Sequence, residues 1–357
     1  MKGFSTLRYV AFALLLLMVS CETDFTTISD YEDITVVYGL LDQKDSMQYI
    51  KINKAFLSEG NVLEYAQNAD CTNYAVPLEV SLEEVNSSGN VVNTYAFDTT
   101  SIYNKEPGTF YYPDQLIYRW QKPQFPFDVK YIIEGLNDTI GVEYIWLNEA
   151  NSYRLKIKNP LTEKEITAQS PLVHDFDITK PGYGTTINFI PESVYPMEFR
   201  WDKAENGGLY EFELRFNYYE VSFSNDTIEK WVSLIRSSIN DPSSGSSVAT
   251  YYVSDNFYSS CLNLIPYTDP AVESQVDYRL SGLIDIVVSA AEEQYALYIK
   301  VNAPSTGIVQ EKPQYTNVDN GLGLFSSRVK SQRSKKLHSE SVTILKSLDN
   351  GVLKFKL

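Results

Sequence analysis

Two histidines, His174 and His338, are all that the chain's 357 residues contain, and neither has a ligand-spaced neighbour. Zinc sites and histidine-based acid–base chemistry therefore have almost no material. Three cysteines at wide spacing, Cys21, Cys71 and Cys261, make no zinc motif either. No Gly-x-Ser-x-Gly elbow and no phosphate-binding glycine loop occurs. Basic charge is scarce: 30 Lys and Arg face 46 Asp and Glu, a formal charge of −16. Such a surface repels nucleic acid, and no cation-rich groove is legible, so nucleic acid is not expected as a partner. Fixed-period repeats and heptads are absent, and only one apolar run stands out, near the start.

That run spans Tyr9 to Val19, follows Lys2 and Arg8, and is too short to cross a bilayer as a stable helix. It reads as a cleaved export leader over residues 1–20. The junction Leu17-Met18-Val19-Ser20-Cys21 resembles a bacterial lipobox, with Met18 where Leu, Val or Ile is usual. The resemblance implies that Cys21 carries the lipid and begins the mature chain, whose formal charge moves from −16 to −18 without Lys2 and Arg8. At about 0.8 kcal/mol per buried methylene, several acyl chains hold a domain on a membrane almost permanently. Residues 21–33, with Glu22, Asp24, Asp30, Glu32 and Asp33, read as an acidic tether. They also resemble the surface-export signals of Bacteroidota lipoproteins, which implies an outer-membrane protein facing the cell surface.

What is plentiful is tyrosine: 27 Tyr, with aromatics at 13% and hydrophobic residues at 43%. This composition supports a real core and favours strands. Residues 34–41 and 47–56 read as one hairpin, 78–83 and 91–97 as a second, and 153–157 with 165–170 as a third. Residues 131–134 and 142–147 read as strands around Asn137-Asp138. The best strand is 210–218, where Tyr210, Phe212, Leu214, Phe216 and Tyr218 alternate with mostly polar partners. Trp201, with a Tyr on the following strand, resembles the core of fibronectin type III and other immunoglobulin-like sandwiches. Short helices fit 61–69 and 255–264, and 290–301 fits a strand or a helix. The fold class expected is mainly β: two β-sandwich-like domains at 34–178 and 185–303, the second immunoglobulin/fibronectin III-like, with a few short helices. Residues 304–357 follow as a loop and a β-hairpin turned at Asn350-Gly351. Eight Lys and Arg between Arg328 and Lys356, opposed by Glu340 and Asp349, read as a solvated loop and hairpin face or as a segment docked on an acidic surface.

Candidate sites are few. An oxidising exterior would permit a disulfide between Cys71 and Cys261, stapling the two expected domains, or both are small core residues. Phe110, Tyr111, Tyr112, Tyr118, Trp120, Phe125 and Phe127 form either an exposed platform for sugar rings or a partner, or a core beneath a long loop at 99–126. Glu83-Glu84 and Glu292-Glu293 read as turn or surface charge, because strand neighbours point to opposite faces and cannot converge on one bond. Residues 316–325 lack EF-hand spacing, with Arg328 where the bidentate Glu belongs. They read as a turn that tucks Leu322, Leu324 and Phe325 under a sheet. No metal or cofactor is expected. Thr139 and Thr227 follow Asn-Asp turns in Asp-Thr-Ile triplets, which resemble the O-glycosylation sequon of exported Bacteroidota proteins.

Residues 316–325, 34–56 and 153–170 resemble parts of uncharacterised Bacteroidota outer-membrane lipoproteins, a domain of unknown function often found beside TonB-dependent receptors. That resemblance implies location and a possible receptor partner, and no chemistry. The expectation is a non-enzymatic accessory or binding subunit anchored to the outer membrane. The alternatives are a cell-surface glycan-binding lipoprotein or a carboxylate-dependent hydrolase.

Overall fold

Alternation at period two decides the first hairpin. In β1 (Thr35–Asp42) and β2 (Gln48–Lys54), Val37, Leu41, Ile50 and Ile52 point inward and are buried, while Tyr38, Tyr49 and Lys51 point out. The computed structural model describes residues 33–56, 61–103, 105–112, 114–120, 126–133, 140–240, 245–303 and 314–356. Two short helices follow the hairpin, α1 (Val62–Ala66) and α2 (Ala69–Thr72), capped by Asn61 and Asn68.

The chain continues through β3 (Glu79–Val85), β4 (Val91–Ile102), β5 (Gln115–Trp120), β6 (Asp128–Ile133), β7 (Ile140–Ile145), β8 (Ser152–Lys158) and β9 (Glu165–Pro171). β6 and β7 pair only with each other. Next come β10 (Ile178–Lys180), β11 (Met197–Asp202), β12 (Gly207–Ser222), β13 (Thr227–Asn240) and β14 (Ser247–Tyr252). Helices α3 (Asp255–Leu264) and α4 (Pro270–Glu273) lead into β15 (Val276–Glu292) and α5 (Glu293–Asn302). The last elements are β16 (Val318–Asp319), β17 (Gly321–Lys336), α6 (Ser339–Ser347) and β18 (Phe355–Lys356).

The fold is mostly β, with a few short helices, as the sequence implies. Its frame is a curled 13-stranded mixed sheet ordered β13-β12-β15-β17-β1-β2-β5-β4-β3-β8-β9-β16, with β18 beside β15. The curl brings the far end back toward β17. Asn320 Nδ2 donates to the Glu165 carbonyl at 3.1 Å, and Ser327 Oγ donates to the Pro171 carbonyl at 2.8 Å. Inside this curl lies the first core, with Leu82, Trp120, Tyr153, Leu155 and Phe325. The second core lies between the β12/β15 end and a three-stranded sheet, β10-β11-β14. There Trp201 is fully buried and stacks on Phe212 at 5.9 Å and 6°.

Four expectations need correction. Residues 304–357 do not end in a hairpin: 339–347 is α6, and Asn350-Gly351 lies in the turn that closes it. Leu345 is buried and Val342 and Leu348 pack on the core, a helical spacing that overrides the β-branched composition. The same expectation missed β17, which pairs with β1 in parallel and with β15 antiparallel, so one sheet runs through residues expected to form separate domains. The basic segment docks on the body. Arg333 and Lys335 are buried beneath Tyr183, with the Arg333 guanidinium 4.0 Å from its ring centre, and Lys354 pairs with Glu273 at 2.8 Å. Finally, Asp33, assigned to the tether, belongs to the body. Tyr74 Oη donates to it at 2.9 Å, and the Lys164 ammonium donates to its carbonyl.

Candidate functional site

The outward side chains of the first hairpin form the floor of a cleft of about 410 Å³. Val36 and Tyr38 of β1 and Lys51 and Asn53 of β2 face it, all displaced by one residue from the buried set. One wall is α1, with Val62, Leu63 and Ala66; the other is made by Lys105, Phe110 and Tyr111. The walls are tied together. Tyr111 N donates to the Ala66 carbonyl at 3.0 Å, and Lys105 Nζ donates to the Tyr111 carbonyl at 2.5 Å. Tyr111 Oη donates to Asp114 Oδ1 at 2.8 Å, an acceptor that raises the phenol's pKa. At the base, Gln115 Nε2 donates to Asn53 Oδ1 at 3.2 Å, while Asn53 Nδ2 donates to the Thr72 carbonyl at 3.1 Å. Phe110 is 54% exposed, and Phe56 stacks on Tyr65 at 6.3 Å. The rim therefore presents aromatic surface to solvent.

A second cleft of about 430 Å³ adjoins the first and shares Tyr38 and Lys51 with it. Its other wall is α5, through Tyr295, Tyr298 and Ile299. Tyr38 and Tyr298 meet edge to face at 6.4 Å, with their hydroxyls 3.4 Å apart. Burial first, and then the Tyr38 hydroxyl, pushes the Tyr298 phenol up to about 12, so the Tyr298 ring stays neutral at physiological pH. None of the α5 side chains is buried, and Leu297 and Ile299 are each 44% exposed.

The seven-residue aromatic cluster does not form one platform. Tyr118 and Trp120 lie on the inward face of β5 in the first core, at 2% exposure each. Tyr118 Oη accepts from Leu78 N at 2.9 Å, and Trp120 packs against Tyr95 at 4.9 Å. For these two residues the core alternative holds, and they are not ligand contacts. Phe110 and Tyr111 line the cleft and Tyr112 is exposed beside it. Phe127 lines a third hollow with Asp128, Glu149 and Asp177. Phe125, Thr139 and Cys21 lie outside the described residues. Thr227 is exposed at the start of β13.

Cys71 and Cys261 are free thiols, which decides between the two alternatives against the staple. Cys71 sits on α2, while Cys261 is buried on α3 in the second core, where desolvation raises its pKa. The adjacent carboxylates also differ from expectation, since Glu84 and Glu292 are buried. Glu84 accepts from Tyr95, Asn93 and Asn151, and Glu292 accepts from Ser326 Oγ at 2.6 Å. Glu83 lies on the opposite face of β3 from Glu84, whereas Glu293 opens α5 directly after Glu292. His174 sits 3.5 Å from Glu205, and His338 caps α6. Among the described residues no group of three or more His, Cys, Asp and Glu could hold a metal ion, and no helix is long and apolar enough to cross a membrane. Leu324 and Phe325 are both buried, on opposite faces of β17: Phe325 in the first core and Leu324 beside Tyr38 and Tyr298; Leu322, on the same face as Leu324, stays 37% exposed.

Sequence reasoning missed Tyr38, Lys51 and Lys105. The signal was present: an aromatic ring on the polar face of an alternating hairpin marks a surface to be covered. The chain's sequence matches no protein-family model and no curated protein.

Proposed function

We propose that the protein is a lipid-anchored outer-membrane lipoprotein that binds a glycan at the cell surface, in the cleft on the outward face of β1 and β2. It acts as a binding or accessory subunit and performs no chemistry of its own. The anchor rests on the leader and Cys21. The observation that carries the binding role is the pair of adjoining clefts, floored by strand side chains that include exposed Tyr38 and rimmed by exposed Phe110. Aromatic faces in a concave site of this size stack readily on sugar rings. Affinity electrophoresis of the full chain in detergent, through gels containing different polysaccharides, tests this. Retardation in at least one gel is expected, and unchanged mobility in all of them would refute the binding role. For the anchor, Cys21→Ala should move the protein from the membrane to the soluble fraction.

A second reading, attachment to a TonB-dependent receptor, takes its partner from the lipoprotein resemblance and its surface from α5. That helix leaves Leu297 and Ile299 half-exposed beside the clefts. Co-purification of a receptor with the native protein, lost on Leu297→Glu, is the outcome it requires.

A further inference from the structure

The charges in the first cleft run against the rest of the molecule. In a chain of −16, its lining holds Lys51, Lys54 and Lys105 against a single carboxylate, Asp114. Asp114 is engaged by Tyr111 Oη at 2.8 Å. Among the described residues, no carboxylate forms an ion pair with any of the three lysines. Other surface cations of this protein do find acids: Lys44 meets Glu143 and Asp175, Lys180 meets Glu198, and Lys354 meets Glu273.

Lys105 is held in place by its bond to the Tyr111 carbonyl, which uses one of three ammonium donors and leaves two free to turn into the cleft. Lys51 projects from the floor. Both lysines line this one cleft, so like charge faces like charge there. Partial burial and then Lys105 lower the Lys51 pKa. A neutral sugar would stack on the rim and leave this repulsion in place. An anion seated between the two lysines would relieve it and accept charge-assisted hydrogen bonds from both. The remaining lining is largely apolar and aromatic, which suits a ring that carries the anion better than a bare ion.

We propose that the cleft takes a carboxylate-bearing sugar, its acid group held between Lys51 and Lys105 and its ring face laid on Phe110. This rests on the reading of the cleft as the binding site and names the class of glycan. A uronic acid residue in a polysaccharide has the required chemistry.

The test is calorimetric titration of the full chain in detergent with trimers of galacturonate, glucuronate and mannuronate, each beside its carboxyl-reduced neutral counterpart. At least one acidic trimer should bind, and its neutral counterpart about tenfold or more weakly, since a hydrogen bond to a charged group is worth at least that factor. Lys51→Met and Lys105→Met should each weaken the acidic trimer about tenfold and weaken the neutral one by a clearly smaller factor. Phe110→Ala should weaken both. Both lysines are part-exposed, so thermal unfolding of the variants should match the parent and exclude a folding defect. Equal affinity for acidic and neutral trimers, or lysine variants that bind the acid normally, would overturn the acidic-sugar assignment and leave the cleft as a glycan site. If the neutral trimers alone bind, the assignment falls in the same way. If no trimer binds and no polysaccharide gel retards the protein, both readings fall together.

Discussion

At the scale of single residues, two buried carboxylates respond to pH in opposite senses. Burial holds Asp42 up at about 6 from its ordinary 3.8, partly opposed by the Lys44 N–H. Below 3.8 the residue is protonated in both states. Between 3.8 and 6 the unfolded chain ionises first, so stability falls as pH rises, and the loss is constant above 6. Asp42→Asn should therefore raise the Tm at pH 7.5, by an amount equivalent to at most about 3 kcal/mol, and change little near pH 3.5. Glu213 behaves in reverse. Burial pushes its carboxyl up, but hydrogen bonds from Arg215 and Arg236 outweigh that and bring it down to about 2 from 4.5. Its contribution is fully present above 4.5 and is lost as pH falls toward 2. Glu213→Gln should cost about 1–3 kcal/mol at pH 7 in denaturant unfolding, and the gap between variant and parent should close progressively below pH 4.5.

At the scale of elements, the parallel pairing of β1 with β17 depends on a close backbone approach. Gly323 sits at φ +111°, and a Cβ there would lie 2.0 Å from the Val37 carbonyl oxygen, its partner in register. Gly323→Ala should cost at least about 2–3 kcal/mol and lower the Tm by several degrees. β17 also marks where sequence reading fails. The three early hairpins were legible because apolar and polar residues alternate and polar turns bound them. β17 was not, because Ser326, Ser327, Arg333 and Lys335 occupy buried positions usually filled by apolar side chains. Those groups are served by partners distant in sequence: Ser326 by Glu292, Ser327 by the Pro171 carbonyl, Arg333 and Lys335 by Tyr183. The Asn350-Gly351 signal was real but misassigned. Both residues have positive φ, 58° and 76°, and they turn the chain away from a helix rather than between strands. The cleft was half legible: Phe110 and Tyr111 stood out as aromatic density, whereas Lys51 and Lys105 met only on folding.

For the whole molecule, the continuous sheet couples both cores. β17 gives Phe325 to the first core and Val329 to the second, and β18 adds Phe355 to the second. Thermal unfolding followed separately through Trp120 and Trp201, in paired Trp→Phe variants, should give coincident transitions; transitions several degrees apart would contradict this coupling. Residues 33–180 expressed alone should fail to fold, since β1 would lose β17 and become an edge. The C-terminal segment is part of the same unit. Arg279, fully buried, donates to the Leu353 carbonyl at 3.1 Å and pairs with Glu220 at 2.9 Å. This continuous sheet carries the hairpin floor on which both clefts are built, so the central claim concerns that outward face. The measurement that tests it most directly is the mobility of the Tyr38→Ala/Phe110→Ala double variant beside the unaltered protein, in a polysaccharide gel that retards the latter. The account predicts that the variant, equally well folded, migrates as it does in a gel without polysaccharide. Retardation identical to the unaltered protein would contradict it.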